Sequence, residues 1–255
     1  MIDSEPSSVP AVDMTPPILA SGVEFAFGTG DLTKQVLFDV RFSIAAGEIL
    51  LLTGPSGSGK TTLLTLIGAL RTLKHGSLKV LGREMHEASR QVQLEIRRRI
   101  GFIFQAHNLL PHLTARENVQ LMLQLRPEIS PEEGRARASD ELKAVGLGDR
   151  LDYHPGRLSG GQRQRVAVAR ALVGEPSLVL ADEPTAALDS RSGREVVDLL
   201  TGLAREKNCP ILMVTHDSRV FDVADRIIRM EDGRIIDDAA VDAETFARLE
   251  KEEDF

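Results

Sequence analysis

The chain predicts an α/β fold, a parallel sheet covered on both faces by helices. Three observations predict it. The runs EILLLTG, IGFIFQ, SLVLADEP and PILMVTHD are short and apolar, as strands buried on both faces must be. They alternate with longer segments of helical spacing, the order of a sheet with helices packed on it. The first run ends in a glycine-rich loop that opens directly into KTTLLTLIGAL, so residues 49 to 70 read strand, loop, helix.

Taken in order, ILASGVEFAF and VLFDVRFSI read as strands, bounded by the turns GTGDL and AAGE. EILLLTG is the first buried strand, and GSLKVLG is a further short one. Residues 84–99 predict a charged helix closed by Arg97, Arg98 and Arg99, whose cations offset the negative end of the helix dipole. IGFIFQ follows as a buried strand. Residues 112–147 read as mostly helical, interrupted by RPEISPEEG, and LSGGQ opens a helix over 159–173. A strand at SLVLADEP, a helix over 190–207, a strand at PILMVTHD and a short helix at 218–224 come next. DRIIRMEDGRIID predicts a hairpin turning on Asp232-Gly233. The helical stretch 106–158 lies between two core strands and reads as a helical subdomain carried on the sheet. Residues 1–17, acidic and proline-rich, read as a disordered tail; 18–236 form the main domain, and 237–255 an acidic extension with a terminal helix over 242–255.

A net charge of −7 argues against a nucleic-acid partner, which needs a basic face, and one Tyr with no Trp leaves few platforms for stacking bases. The single Cys209 precedes an apolar run and reads as a buried structural thiol. No targeting segment is visible, and no apolar run approaches the ~18 residues that span a bilayer. The expectation is a cytoplasmic chain; work at a membrane would need another polypeptide to supply the membrane part.

Two glycine-rich loops carry the chemistry. Gly54-Pro55-Ser56-Gly57-Ser58-Gly59-Lys60-Thr61 fits G-x-x-x-x-G-K-[ST]. Its glycines let the backbone wrap phosphates with N–H groups inward, and the following helix aims its positive end at the same charge. Lys60 should reach the β- and γ-phosphates, and Thr61 should bind Mg²⁺; Thr62 completes the phosphate-binding set. LVLADEP puts Asp182 and Glu183 at the end of a buried strand, where the ligand crevice of a parallel sheet lies. Successive strand side chains diverge, so Asp182 suits the metal and Glu183 suits the general base toward an attacking water.

The second loop, Ser159-Gly160-Gly161-Gln162, fits an S-x-x-Q capping box. Capping does not require two bare glycines at a helix start, where their entropy is a cost. Glycines there expose N–H groups to an approaching anion at the positive helix end, which makes this loop a second phosphate binder.

With these motifs the chain resembles the nucleotide-binding subunit of an ABC transporter over about residues 18–236, on the strength of the phosphate loop, LSGGQ, LVLADE, Gln105 after one strand and His216 after another, in the family's order. The resemblance implies a P-loop NTPase fold with a parallel core sheet, an antiparallel β subdomain and a helical subdomain. It implies an ATPase using ATP and Mg²⁺, in which two copies pair head to tail and each signature loop meets the nucleotide on the other copy. It further implies that Phe27, with Phe25 as competitor, stacks on adenine. Gln105 would sense the metal and the attacking water, Asp189 signal between sites, and His216 contact the γ-phosphate. Arg163 and Arg165, beside the signature, read equally as support for phosphate or as a solvated face. Leu109, Leu110 and Leu113 read as exposed apolar residues in AHNLLPHLTAREN, a stretch that in the family lines the groove for a membrane subunit. Within the family the wording QVLFDV, GPSGSGKTTLLTLIGALR, GSLKVLG, IFQAHNLL and ADEPTAALDS is similar to the macrolide-efflux and lipoprotein-release group, and there most to Dev-type glycolipid exporters. That likeness implies an integral membrane permease partner, extracytoplasmic adaptor proteins acting through it, and a place on the inner face of the cell membrane. An importer ATPase, or a soluble ABC protein acting on ribosome or DNA, stays open as an alternative.

Overall fold

A computed structural model of the chain describes residues 15–28 and 30–241. The terminal helix expected over 242–255 and most of the expected disordered tail lie outside the described residues.

Two sheets form the frame. The core sheet has six strands: β3 (Ile49–Thr53), β6 (Ile100–Ile103), β7 (Leu178–Asp182), β8 (Ile211–Val214), β9 (Arg226–Glu231) and β10 (Arg234–Ala240). Their order is β10-β9-β3-β8-β7-β6, parallel from β9 to β6, with β10 added antiparallel at the edge. A second, antiparallel sheet joins β1 (Ile18–Phe27), β2 (Lys34–Ile44), β4 (His75–Val80) and β5 (Arg83–Glu84) in the order β2-β1-β4-β5.

Alternation along the central strands divides the core in two. On β3, Ile49 and Leu51 face the side packed by Val119, Leu142, Val166 and Val196, while Leu50 and Leu52 face the side packed by Ile18, Val40, Leu63 and Ile96. On β7, Val179 and Ala181 take the first side, Leu178 and Leu180 the second. Every residue of both strands is buried, the four apolar residues that lead each one as well as Thr53 and Asp182 at their ends. The first side carries α3 (Ala115–Gln120), α4 (Pro131–Ala144), α5 (Gly160–Leu172) and α6 (Ser190–Lys207); the second carries α1 (Lys60–Ile67), α2 (Arg90–Arg99) and the antiparallel sheet.

Two expectations are corrected. The helix expected from residue 84 begins at Arg90, capped by Ser89, and Arg83–Glu84 is strand. The reason is Glu84: its carboxylate accepts from Ser77 Oγ (2.5 Å) and from the amides of Leu78 (3.0 Å) and His86 (2.9 Å), which pins the segment extended. Residues 112–147 are less helical than expected. Thr114 and Ser130 each start a new helix as N-caps, and between α3 and α4 lie a short 3-10 turn, Leu123–Leu125, and a non-helical stretch containing Pro127. The strand at 100–103 is an edge strand, yet it stays buried because α5 lies on it: a Cβ on Gly101 would sit 2.5 Å from the Ala171 carbonyl oxygen. The hairpin turns where expected, with Asp232 (φ 46°) and Gly233 (φ 76°) both left-handed.

Candidate nucleotide site

The phosphate loop spans Gly54 to Gly59, between the end of β3 and the start of α1. Its path needs glycine. Gly54 (φ 130°) lies so close to β9 that a Cβ would fall 2.0 Å from the Met230 carbonyl oxygen. At Gly59 (φ 101°) a Cβ would meet Leu37 Cδ2 at 2.7 Å, and no side chain caps α1 there. Gly57 is also left-handed but faces open space.

Lys60 folds back over this loop: Nζ donates to the carbonyls of Gly54 (2.6 Å) and Pro55 (2.8 Å) and to Ser58 Oγ (3.3 Å). Burial holds its pKa below the usual value, opposed by the carboxylates of Glu183 and Asp182. Thr61 Oγ1 donates to Asp182 Oδ2 at 3.2 Å. Asp182, at the end of β7, is 7% exposed, and burial raises its pKa against the opposing pull of Thr61 and Lys60. The next residue diverges as expected. Glu183 takes φ 52°, its amide donates to the Val214 carbonyl (2.9 Å), and its Oε1 lies 2.8 Å from His216 Nδ1.

These groups face one cleft of about 540 Å³, lined by Gly54 to Thr62, Gln105, Asp182, Glu183 and His216. Val36 on β2 and Val214 on β8 also line it. Neither was singled out from sequence, because a valine in a strand carries no chemical signal; only the apposition of the two sheets puts Val36 there.

The other candidate residues lie elsewhere. Phe27 is 37% exposed and meets Phe25 edge-on (ring centroids 5.0 Å apart), while Phe25 packs on the core. Phe27 therefore offers the accessible ring; the Arg71 guanidinium sits 4.7 Å from its centroid. Ser159 and Gln162 form the capping box: Ser159 Oγ accepts from the Gln162 amide (3.2 Å), and Gln162 Oε1 accepts from the Ser159 amide (2.9 Å). Gly160 and Gly161 have no left-handed φ. A Cβ on Gly160 would find nothing nearer than 3.9 Å, and one on Gly161 only a leucine methyl, Leu188 Cδ2, at 3.1 Å. Asp189 caps α6 through the Ser192 amide (3.0 Å), a hydrogen bond that lowers its pKa.

The supporting residues sort simply. Arg163 Nη1 donates to the Leu158 carbonyl (2.8 Å), and Arg165 approaches Glu195 at 3.8 Å. Arg97, Arg98 and Arg99 form the last turn of α2. Leu109, expected exposed, packs against the core; Leu110 is the exposed one, at 37%. Cys209 is 3% exposed, and burial pushes its thiol up to about 11.

Comparison with known proteins shows the family. The ABC transporter family model covers residues 37–186, from β2 through the phosphate loop and signature helix to the end of β7. The chain belongs to the ABC transporter family. It is an ATP-binding cassette with ATPase chemistry. It is 44% identical over 218 residues to a macrolide export ATP-binding/permease protein, MacB, of Marinobacter nauticus, covering 85% of this chain and 34% of that protein. The chain thus spans about a third of the length of the macrolide-export relatives it matches. It is 42% identical over 228 residues to the lipoprotein-releasing system ATP-binding protein LolD 1 of Caulobacter vibrioides, covering 87% of this chain and 95% of that one. Among solved structures, the dimeric post-hydrolysis state of the cassette MJ0796 bound to ADP and Pi matches with a TM-score of 0.84 and 38% identity, over 89% of this chain and 99% of that one.

Proposed function

We propose that the cassette hydrolyses ATP in a head-to-tail homodimer and drives export or extraction of a lipid-like cargo through a separate integral membrane permease, itself linked to extracytoplasmic adaptor proteins. The carrying observation is the division of the site. The phosphate loop, Gln105, Asp182, Glu183 and His216 share one cleft, whereas the signature loop stands outside it. Among the described residues a Cβ on Gly160 would meet nothing nearer than 3.9 Å and one on Gly161 would press only on the flexible end of Leu188, at 3.1 Å; neither glycine has a left-handed φ. Bare glycines at a helix N-terminus fit a surface met by another molecule's phosphates. The solved structures of MJ0796, also a cassette, are dimeric.

In the cleft, Lys60 exchanges its loop carbonyls for the β- and γ-phosphate oxygens. Thr61 and Asp182 offer a hydroxyl and a carboxylate at 3.2 Å, a hard-oxygen pair suited to Mg²⁺. Bound there, the ion would neutralise charge developing on the transferred phosphoryl. Glu183 takes the proton of the water that attacks the γ-phosphorus as the bond to the β-phosphate oxygen breaks and ADP leaves. His216 holds the Glu183 carboxylate and reaches the γ-phosphate; Gln105 faces the same water. Phe27 stacks on adenine and Asp189 signals between the two sites.

The export reading rests on the relatives named for macrolide export and lipoprotein release, and the lipid-like cargo on the wording shared with Dev-type glycolipid exporters. No helix among the described residues is long and apolar enough to cross a membrane, so the permease would hold the cassette at the inner face. Glu183→Gln tests the core of this reading. It should bind ATP with Mg²⁺, fall about 10²-fold or more in turnover, and run as a dimer in sedimentation velocity. A variant that stays monomeric in ATP and hydrolyses like the parent overturns it.

A further inference from the structure

We infer that Arg170 is a positioning residue for Gln105, acting by holding a left-handed pair of backbone residues in the loop that follows it. This rests on the reading of Gln105 as a residue facing the attacking water. His107 (φ 61°) and Asn108 (φ 50°) are consecutive, left-handed, and neither is glycine. Asn and His enter this region more readily than most side-chain-bearing residues, but usually singly, and two in succession persist where surrounding structure enforces them. The amides of His107 and Asn108 donate within the turn, to the Phe104 (3.0 Å) and Ala106 (2.7 Å) carbonyls, and among the described residues the one side chain that holds their own carbonyls is a guanidinium. Arg170 Nη2 donates to the His107 carbonyl (2.6 Å) and Nη1 to the Asn108 carbonyl (2.7 Å).

Arg170 is 9% exposed, and among the described residues no carboxylate pairs with it. A cation buried on two carbonyls is poor economy as packing, since an aliphatic side chain would fill the space without desolvating a charge. The contact makes sense as a clamp. It joins α5, the helix that starts at the signature loop, to the segment that starts at Gln105 in the nucleotide cleft. The far end of the segment is held too. Asn118 of α3, 1% exposed, accepts from the Leu110 amide (2.8 Å) and donates to the carbonyls of Leu110 (3.1 Å), Leu113 (3.1 Å) and Thr114 (2.9 Å). The backbone between Gln105 and α3 is thus fixed at two points by helices on one side of the core sheet. A shift of α5 would move Gln105 with it.

Four variants of the full chain test this by steady-state ATPase and equilibrium ATP binding: Arg170→Met, Arg170→Lys, Gln105→Ala, and Arg170→Met combined with His107→Gly and Asn108→Gly. Arg170→Met should lower kcat about tenfold while leaving the ATP Kd within about twofold, because the phosphate loop is untouched. The two glycines should restore about half or more of the lost kcat, since glycine holds positive φ without a clamp. Arg170→Lys, with one compact ammonium, should fall between. A parental kcat in Arg170→Met, or a loss that the glycines do not relieve, overturns the clamp. If Arg170→Met does not fold, Arg170→Lys decides: a lowered kcat at unchanged Kd supports the clamp, and a parental kcat overturns it. Gln105→Ala separates the two readings. If it hydrolyses like the parent, the role of Gln105 fails; if it is slow while Arg170→Met is not, only the clamp fails.

Discussion

Glu183 Oε1 and His216 Nδ1, 33 residues apart in the chain, lie 2.8 Å apart at the mouth of the cleft. The Glu183 side chain is 12% exposed and that of His216 is 79% exposed. The histidine therefore reaches in from the surface to orient a carboxylate that is itself largely sheltered. His216→Ala should lower kcat by about 10²-fold or more while ATP affinity, set by the phosphate loop, changes little. Initial rates alongside equilibrium nucleotide binding separate the two; a variant whose Kd rises as kcat holds would place His216 in binding rather than turnover.

At the signature loop, Gly160 has room for a side chain within its own subunit. Gly160→Val should therefore fold normally and without loss of stability, since valine has a better helix propensity than glycine. In the Glu183→Gln background it should abolish the ATP-dependent dimer, because the added methyls occupy the face offered to a second copy. Sedimentation velocity with and without ATP reads this directly, and an undiminished dimer would show that the loop is not the contact.

Gly54 and Gly57 make a contrasting pair. Alanine at 54 would drive its Cβ to 2.0 Å from the Met230 carbonyl oxygen, whereas alanine at 57 meets nothing within 4 Å. Gly54→Ala should cost about 3 kcal/mol or more and remove nucleotide binding, while Gly57→Ala should cost only the ~1–2 kcal/mol of a left-handed alanine. Urea unfolding compares them; equal losses would mean the β9 contact does not set the loop.

Burial pushes the Cys209 thiol to about 11, so at pH 8 only about one thiol in a thousand is ionised, and the group is 3% exposed. Alkylation of native protein at pH 8 should be slow and should accelerate with the global unfolding transition in urea. Fast labelling well below the transition would show local opening at the start of β8.

Much of the fold was legible because its signals are local. The buried strands ILLLT, LVLAD and ILMV declare themselves by four apolar residues in a row, the Asp232-Gly233 hairpin by its turn residues, and α5 by the Ser159–Gln162 capping box. Glu84 shows the limit. Its sequence neighbours favour helix, but its three hydrogen-bond donors come partly from β4, and that pairing overrides local preference.

The site divides along the same line. The sequence by itself pointed to the chemistry we propose: a glycine-rich loop with Lys60 and Thr61, acids at 182 and 183 on diverging sides of a strand, and a glycine-led helix start at Gly160. These follow from residue type and short spacing. Tertiary structure alone decided which of them meet. Parallel pairing of β3, β7 and β8 brings Thr61 to Asp182 and Glu183 to His216. Packing of the antiparallel sheet on the core puts Val36 into the cleft, and the crossing of α5 beneath the 107–108 loop gives Arg170 its two carbonyls. Long-range contacts of this kind depend on chain closure over tens of residues, which no local pattern encodes.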